Sequence, residues 1–105
     1  MVSEEFDLTP QQVKELHEKG EVQLVDVRTD EEHAEQRIEG DLHIPLHELQ
    51  ARAGEVDKGR PVVFYCRSGE RSGMAGQAFA ASGWEAHNLA GGVLAWSEAK
   101  LPLHQ

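Results

Sequence analysis

Residues 62–73 read VVFYCRSGERSG, and this segment gives the strongest indication of the fold. Its first four residues are the most apolar run of the chain, which is typical of a strand buried on both faces of a parallel sheet. The small residues that come next predict a helix over residues 72–82. Cys66, the only cysteine, therefore lies where a buried strand turns into a helix.

Strand and helix signals alternate over the rest of the chain. Thr9 caps a predicted helix, with Pro10 in its first position and Gln12 completing a capping box. Thr29 and Glu32 form a second box. The predicted strands are an edge strand at residues 6–8 and strands over residues 23–27, 42–44, 62–65 and 85–89. Further helices are predicted over residues 46–56 and from residue 93. This alternation predicts an α/β fold, with one domain over residues 1–105, a mainly parallel central sheet of about five strands and helices on both faces.

The position of Cys66 favours a thiolate. Ligands of open α/β sheets bind beyond the carboxyl ends of the strands, which is where Cys66 stands. Unpaired backbone N–H groups and the helix dipole favour negative charge at a helix start, and Arg67 and Arg71 are close in sequence. These features lower the pKa of a cysteine, and the thiolate is its nucleophilic form.

Residues 66–72 are predicted to form a cradle for an anion. Gly69 can take a positive φ, which lets consecutive backbone N–H groups face inward. Arg71 is expected to fold over the mouth of the cradle and Arg67 to point outward and steer substrate, while Glu70 places a negative charge in the loop. The predicted site consists of catalytic Cys66 and of substrate-binding Arg67, Ser68, Gly69, Glu70, Arg71 and Ser72.

Charge and composition exclude several other classes of function. Ten basic residues against nineteen acidic ones give a net charge of −9, which argues against a nucleic-acid surface. No stretch approaches the roughly 20 apolar residues of a membrane span, and residues 1–5 lack the features of a signal peptide. A single cysteine excludes an internal disulfide framework, so we expect a reducing compartment and a cytoplasmic protein.

No metal site is predicted from the six histidines. His43 and His47 are four residues apart, but Pro45 between them prevents a shared helix face, and no cysteine partner follows zinc spacing. Asp26 and Arg28, at the end of a predicted strand, are interpreted as a structural pair.

The loop at residues 66–72 resembles the active-site loop of the rhodanese family of sulfurtransferases. Residues 24–32, 37–45 and 89–96 resemble further segments of the family, so that the resemblance covers roughly residues 6 to 102. Asp41 departs from the small residue that is usual there. The resemblance implies a single rhodanese-like domain.

The resemblance also implies a mechanism. Cys66 would take the outer sulfur of thiosulfate or a similar small-molecule donor, hold it as a persulfide, and pass it to a thiol or to cyanide. A protein could also serve as the sulfur acceptor. No metal or organic cofactor is implied, and neither is a nucleic-acid or membrane partner.

Two other functions stay open at this point. Cysteine phosphatases and arsenate reductases share the fold in part, but their loop places five residues between cysteine and arginine, whereas four separate Cys66 from Arg71. A non-catalytic interaction module is the second alternative, because one fold carries several functions.

Overall fold

The computed structural model describes residues 2–105, and its strands form one sheet. The strands are β1 (Asp7–Leu8), β2 (Gln23–Asp26), β3 (Leu42–His43), β4 (Val62–Tyr65) and β5 (Ala86–Leu89). Their order in the sheet is β1-β5-β4-β2-β3, and each neighbouring pair is parallel. The predicted α/β fold with a parallel five-stranded sheet is confirmed.

Among the described residues three α-helices lie between strands, and a fourth follows β5. They are α1 (Pro10–Glu18), α2 (Asp30–Glu35), α3 (Glu70–Ala81) and α4 (Gly92–Glu98). Both predicted capping boxes are present: Thr9 and Gln12 bond reciprocally at the start of α1, and Thr29 and Glu32 do so at the start of α2. Within residues 2–105 no helix has both the length and the apolar character needed to cross a bilayer.

The sheet lies between two apolar layers. On one face Phe64 of β4 packs edge-to-face on Phe79 of α3, with a ring-centroid distance of 4.8 Å. On the other face Tyr65 of β4 belongs to the cluster that contains Val13 of α1 and Trp96 of α4. Because both faces of β4 are covered, its sequence shows no alternation of apolar and polar residues.

The single helix predicted over residues 46–56 is wrong. Two 3₁₀ turns occupy this segment, Leu46–Glu48 and Ala53–Glu55. Arg52 between them leaves the helical region with φ −107° and ψ 15°, and glycine at position 54 disfavours a continuous helix. Leu49 nevertheless packs in the core, as the apolar spacing predicted.

A buried polar network lies at the end of β2. Arg28 Nε and one of its terminal nitrogens each lie 2.9 Å from an oxygen of Asp26, and Asp26 is fully buried. The predicted structural pair is therefore present. Asp41 belongs to the same buried network, because its carboxylate accepts a hydrogen bond of 2.6 Å from the Tyr65 hydroxyl. Burial raises the pKa of the Asp41 carboxyl.

Arg28→Met is expected to lower the free energy of unfolding by up to about 3–5 kcal/mol, since it removes the guanidinium from the buried Asp26 carboxylate and leaves only the His33 imidazole, 2.9 Å away, beside it. Arg52→Met is the matched control, because Arg52 makes surface ion pairs with Glu48 and Glu55, and its loss is expected to change the stability very little. Urea denaturation of the two variants measures both values. Equal losses would contradict the structural importance of the buried pair.

Candidate active site

The loop after β4 turns into α3 at Gly69. This residue is the N-cap of the helix and has φ +100°, a left-handed conformation that costs an L-residue about 1–2 kcal/mol. The helix therefore begins at Glu70, two residues before the predicted start at Ser72. The turn brings the first backbone N–H groups of α3 back toward Cys66.

Three donors converge on the sulfur of Cys66. The backbone N–H of Gly69 lies 3.1 Å from Sγ, that of Ser72 lies 3.4 Å away, and the Ser72 hydroxyl lies 3.2 Å away. Burial raises the pKa of the Cys66 thiol, but these bonds, with a further one from the Ser68 amide, lower it more. The net pKa is below the ordinary value for a cysteine, which is the direction that the sequence predicts.

The sulfur is nearly closed to bulk water, since Cys66 is only 1% exposed. A thiol buried among apolar groups alone would be inert. Cys66 differs because the surroundings of its sulfur include a hydroxyl and two backbone amides. The site is thus built to stabilise a charged sulfur.

The start of helix α4 holds the backbone of the loop by hydrogen bonds. The backbone N–H groups of Val93 and Leu94 donate to the carbonyl oxygens of Cys66 and Arg67 at 2.9 and 3.1 Å. A Cβ on Gly92 would lie only 2.5 Å from the Cys66 oxygen, and Gly92 has φ +60°. Glycine at position 92 is therefore required for the helix to approach the loop this closely.

Arg71 is held by a carboxylate of this chain. Its two terminal nitrogens lie 2.8 and 3.0 Å from the two oxygens of Glu32, the residue that completes the capping box of α2. The hydrogen bond from Arg71 outweighs burial and lowers the pKa of Glu32 to about 2. The anionic partner that the position of Arg71 suggests is thus Glu32 in this structure, and a contact of Arg71 with substrate stays a prediction.

The remaining predicted site residues lie on the outer side of the loop. Arg67, Ser68 and Glu70 are exposed. Glu70 is the first residue of α3, where a negative charge is favourable to the helix dipole. Arg71 is paired with Glu32 and not with Glu70. The structure therefore brings Gly69 and Ser72 onto the sulfur by direct hydrogen bonds and leaves these three side chains facing solvent.

Two neighbours of the site were not predicted as site residues. Glu32 was identified only as a helix cap, although a carboxylate in that box was a signal that it could also pair with an arginine. Asn88 of β5 lies 2.6 Å from the Ser72 hydroxyl. No local signal points to Asn88, because its place beside α3 depends on β5 being the neighbour of β4.

Asp26, His33 and His43 place potential metal-ligand atoms within 4.8 Å of one another. The two imidazole rings stack with a centroid distance of 4.2 Å. The Arg28 guanidinium already contacts both oxygens of the carboxylate, and a cation beside it would be repelled. His43 Nε2 lies 2.8 Å from the Arg28 carbonyl oxygen. The cluster is therefore better described as a hydrogen-bonded network, which the sequence did not anticipate.

Comparison with known proteins identifies the family. Residues 9–99 match the model of the rhodanese-like domain. The chain belongs to this family. It is 40% identical over 89 residues to a sulfurtransferase of Allochromatium vinosum, a match that covers 84% of this chain and 83% of the relative. It is 32% identical over 83 residues to the thiosulfate sulfurtransferase GlpE of Coxiella burnetii, covering 78% of each.

A solved structure of a rhodanese-related protein from Thermoplasma volcanium has the same fold, with a TM-score of 0.88 over 95% of this chain and 98% of that one at 21% identity. The family and the named relatives support an activity of the sulfurtransferase type, which requires a sulfur donor and a sulfur acceptor. The rhodanese-like fold that the sequence predicts is confirmed.

Glu32→Gln tests the pair with Arg71. Glutamine keeps the capping oxygen, as Gln12 does in α1, and removes the charge. Because the pKa of Glu32 is lowered from 4.5 to about 2, the pair stabilises the fold fully above pH 4.5 and loses its effect as the pH falls toward 2. The variant is expected to be less stable than the wild type at neutral pH and equally stable near pH 2, as measured by urea denaturation. A difference independent of pH would contradict the pairing.

Gly92→Ala tests the support of the loop by α4. The variant is expected to lose about 2–4 kcal/mol of stability, since its Cβ would overlap the loop carbonyls and its φ would be strained. Gly54→Ala is the control, because a Cβ there meets nothing within 4 Å, and a change within about 0.5 kcal/mol is expected. Thermal and urea denaturation measure both. Similar stabilities of the two variants would show that the close approach is not required.

Proposed function

We propose that this protein is a sulfurtransferase that carries sulfane sulfur as a persulfide on Cys66. The observation that carries the proposal is the convergence of the Gly69 amide, the Ser72 amide and the Ser72 hydroxyl on Sγ. These donors favour an ionised sulfur at the start of α3, which is the form that attacks a sulfur donor. Relatives named sulfurtransferase support the same chemistry.

In the first step the Cys66 thiolate attacks the outer sulfur of thiosulfate or a similar donor. A bond forms between Sγ and that sulfur, the donor's own sulfur–sulfur bond breaks, and sulfite leaves with the electron pair. The enzyme is then a persulfide whose negative charge lies on the outer sulfur. Loop amides that face inward are the groups available to stabilise this charge.

In the second step a thiophilic acceptor attacks the outer sulfur. A cellular thiol, cyanide or a protein thiolate can serve as the acceptor, and cyanide gives thiocyanate. The Cys66 thiolate leaves and recovers the electron pair, so the donors around Sγ stabilise it again. No external oxidant or reductant is required, and the cycle is a two-step covalent transfer.

The charges at the mouth bear on the choice of donor. Arg71 is balanced by Glu32, so the positive field that an anionic donor meets comes from exposed Arg67 and from the amides of the loop. Glu70 opposes this field. We propose thiosulfate as the donor because the loop is short and its inward groups are hydrogen-bond donors, and we propose that the transfer takes place in the cytoplasm.

The test is incubation with thiosulfate followed by intact mass spectrometry, with thiocyanate release in the presence of cyanide as the second readout. The wild type is expected to gain one sulfur atom and to form thiocyanate. Cys66→Ser removes the nucleophile with little change of shape and is expected to do neither. Thiosulfate, 3-mercaptopyruvate and a protein persulfide are compared as donors, and the highest kcat/KM is expected for thiosulfate.

Other outcomes would support the alternatives. Hydrolysis of phosphotyrosine or reduction of arsenate without thiocyanate formation would favour a phosphatase or arsenate reductase. Full complementation of a deletion strain by Cys66→Ala would favour an interaction module. Absence of a sulfur adduct on the wild type with every donor would exclude the persulfide mechanism.

A further inference from the structure

Ser72 connects the thiol to Asn88, a residue of β5 to which the transfer steps above assign no role. Its Oγ lies 3.2 Å from Cys66 Sγ and 2.6 Å from Asn88 Oδ1. Ser72 is fully buried and Asn88 is 5% exposed, so bulk water does not compete for either contact. The hydroxyl is thus placed between a sulfur and a carbonyl oxygen.

The orientation of the Asn88 amide is fixed by its other neighbours. Nδ2 lies 2.9 Å from Asp7 Oδ1 and 3.3 Å from the Gly69 carbonyl oxygen, and both of these are acceptors. If the amide were turned over, its oxygen would face two acceptors and both bonds would be lost. Oδ1 of Asn88 therefore faces Ser72 and accepts its proton.

A serine hydroxyl has one proton to donate, and it has two possible acceptors here. When Cys66 is a neutral thiol, its S–H is a weak donor toward Ser72 Oγ, and the Ser72 proton bonds to Asn88. When Cys66 is ionised, Sγ becomes an acceptor for the same proton. The thiolate and the Asn88 carbonyl oxygen then compete for Ser72.

We propose that Asn88 is a positioning residue that weakens the hydrogen bond from the Ser72 hydroxyl to the Cys66 thiolate by competing for the same proton. If the Ser72 hydroxyl rotates so that its hydrogen bonds to the sulfur, Asn88 Oδ1 is left buried without a donor, which is unfavourable. Asn88 therefore keeps the thiolate less stable than the cradle alone would make it. The change is a rotation of one hydroxyl, and no covalent bond forms or breaks.

This role has a consequence for sulfur transfer that rests on the proposed function. In the persulfide, Sγ is bonded to the outer sulfur and is neutral, so the Ser72 hydroxyl returns to Asn88. Asn88 thus favours the sulfur-loaded enzyme over the free thiolate. It slows the attack of the acceptor, which is the step in which the Cys66 thiolate leaves, and so lengthens the lifetime of the persulfide.

The test is the pH dependence of Cys66 alkylation by iodoacetamide, measured for Asn88→Leu and for the same change in a Ser72→Ala background. Leucine has a similar volume and cannot accept a hydrogen bond. At acidic pH, where only part of Cys66 is ionised, Asn88→Leu is expected to react roughly tenfold faster than the wild type, because Ser72 now donates only to sulfur. In the Ser72→Ala background the substitution is expected to have no effect.

An unchanged or slower reaction of folded Asn88→Leu would overturn the proposal, and so would an equal acceleration in both backgrounds. If circular dichroism shows that Asn88→Leu does not fold, the exchange Asp7→Asn with Asn88→Asp replaces it, since Asn at position 7 can donate to the new carboxylate. The bond from residue 88 to the Gly69 carbonyl oxygen is lost in this exchange with or without Ser72, so the comparison of the two backgrounds cancels that loss. A carboxylate oxygen is a stronger acceptor for Ser72, so alkylation is expected to be slower than in Asp7→Asn alone. The slowing is expected to be smaller without the Ser72 hydroxyl, and equal slowing in both backgrounds would overturn the proposal.

A second readout separates this proposal from the proposed function. After loading with thiosulfate, Asn88→Leu is expected to release its sulfur to cyanide faster than the wild type. If no persulfide forms on any variant but the alkylation rates depend on both Asn88 and Ser72, the sulfur-transfer function fails and the role of Asn88 stands. If persulfide forms and the alkylation rates show no such coupling, the role of Asn88 fails and the function stands.

Discussion

A negative charge on sulfur is stable inside a protein only where hydrogen-bond donors replace the water that it has lost. Cys66 is almost fully buried, so its ionised form depends on the amides of Gly69 and Ser72 and on the Ser72 hydroxyl. Cys66 directly follows strand β4, and helix α3 begins four residues later, at Glu70. The surrounding fold keeps that loop in the one conformation in which the donors meet.

Three elements distant in sequence maintain this conformation. Helix α4 donates backbone hydrogen bonds to the carbonyl oxygens of Cys66 and Arg67 and requires glycine at position 92 to do so. Helix α2 fixes Arg71 through Glu32. Strand β5 holds Asn88 against α3. The positive potential at the sulfur therefore comes mainly from oriented backbone amides. These amides need no excess of basic side chains, and the chain has none, since its net charge is −9.

The features that were predicted correctly are those that a few neighbouring residues define. The capping boxes of Thr9 and Thr29, the apolar strand β4 and the left-handed Gly69 all follow from local sequence. The segment over residues 46–56 was predicted wrongly, because its apolar spacing fits a helix but the backbone at Arg52 does not continue one. Apolar spacing reports which side chains are buried, and it does not fix the backbone between them.

Local sequence is enough to predict the α/β class, the strand-to-helix position of Cys66 and the backbone donors that lie within six residues of it, since these depend on short-range geometry. The pairing of Arg71 with Glu32 and the contact of Ser72 with Asn88 span 39 and 16 residues, and they follow from the packing of the folded chain. Such contacts depend on the order of strands in the sheet. That order is set by the burial of whole layers against one another, and no local pattern of residues encodes it.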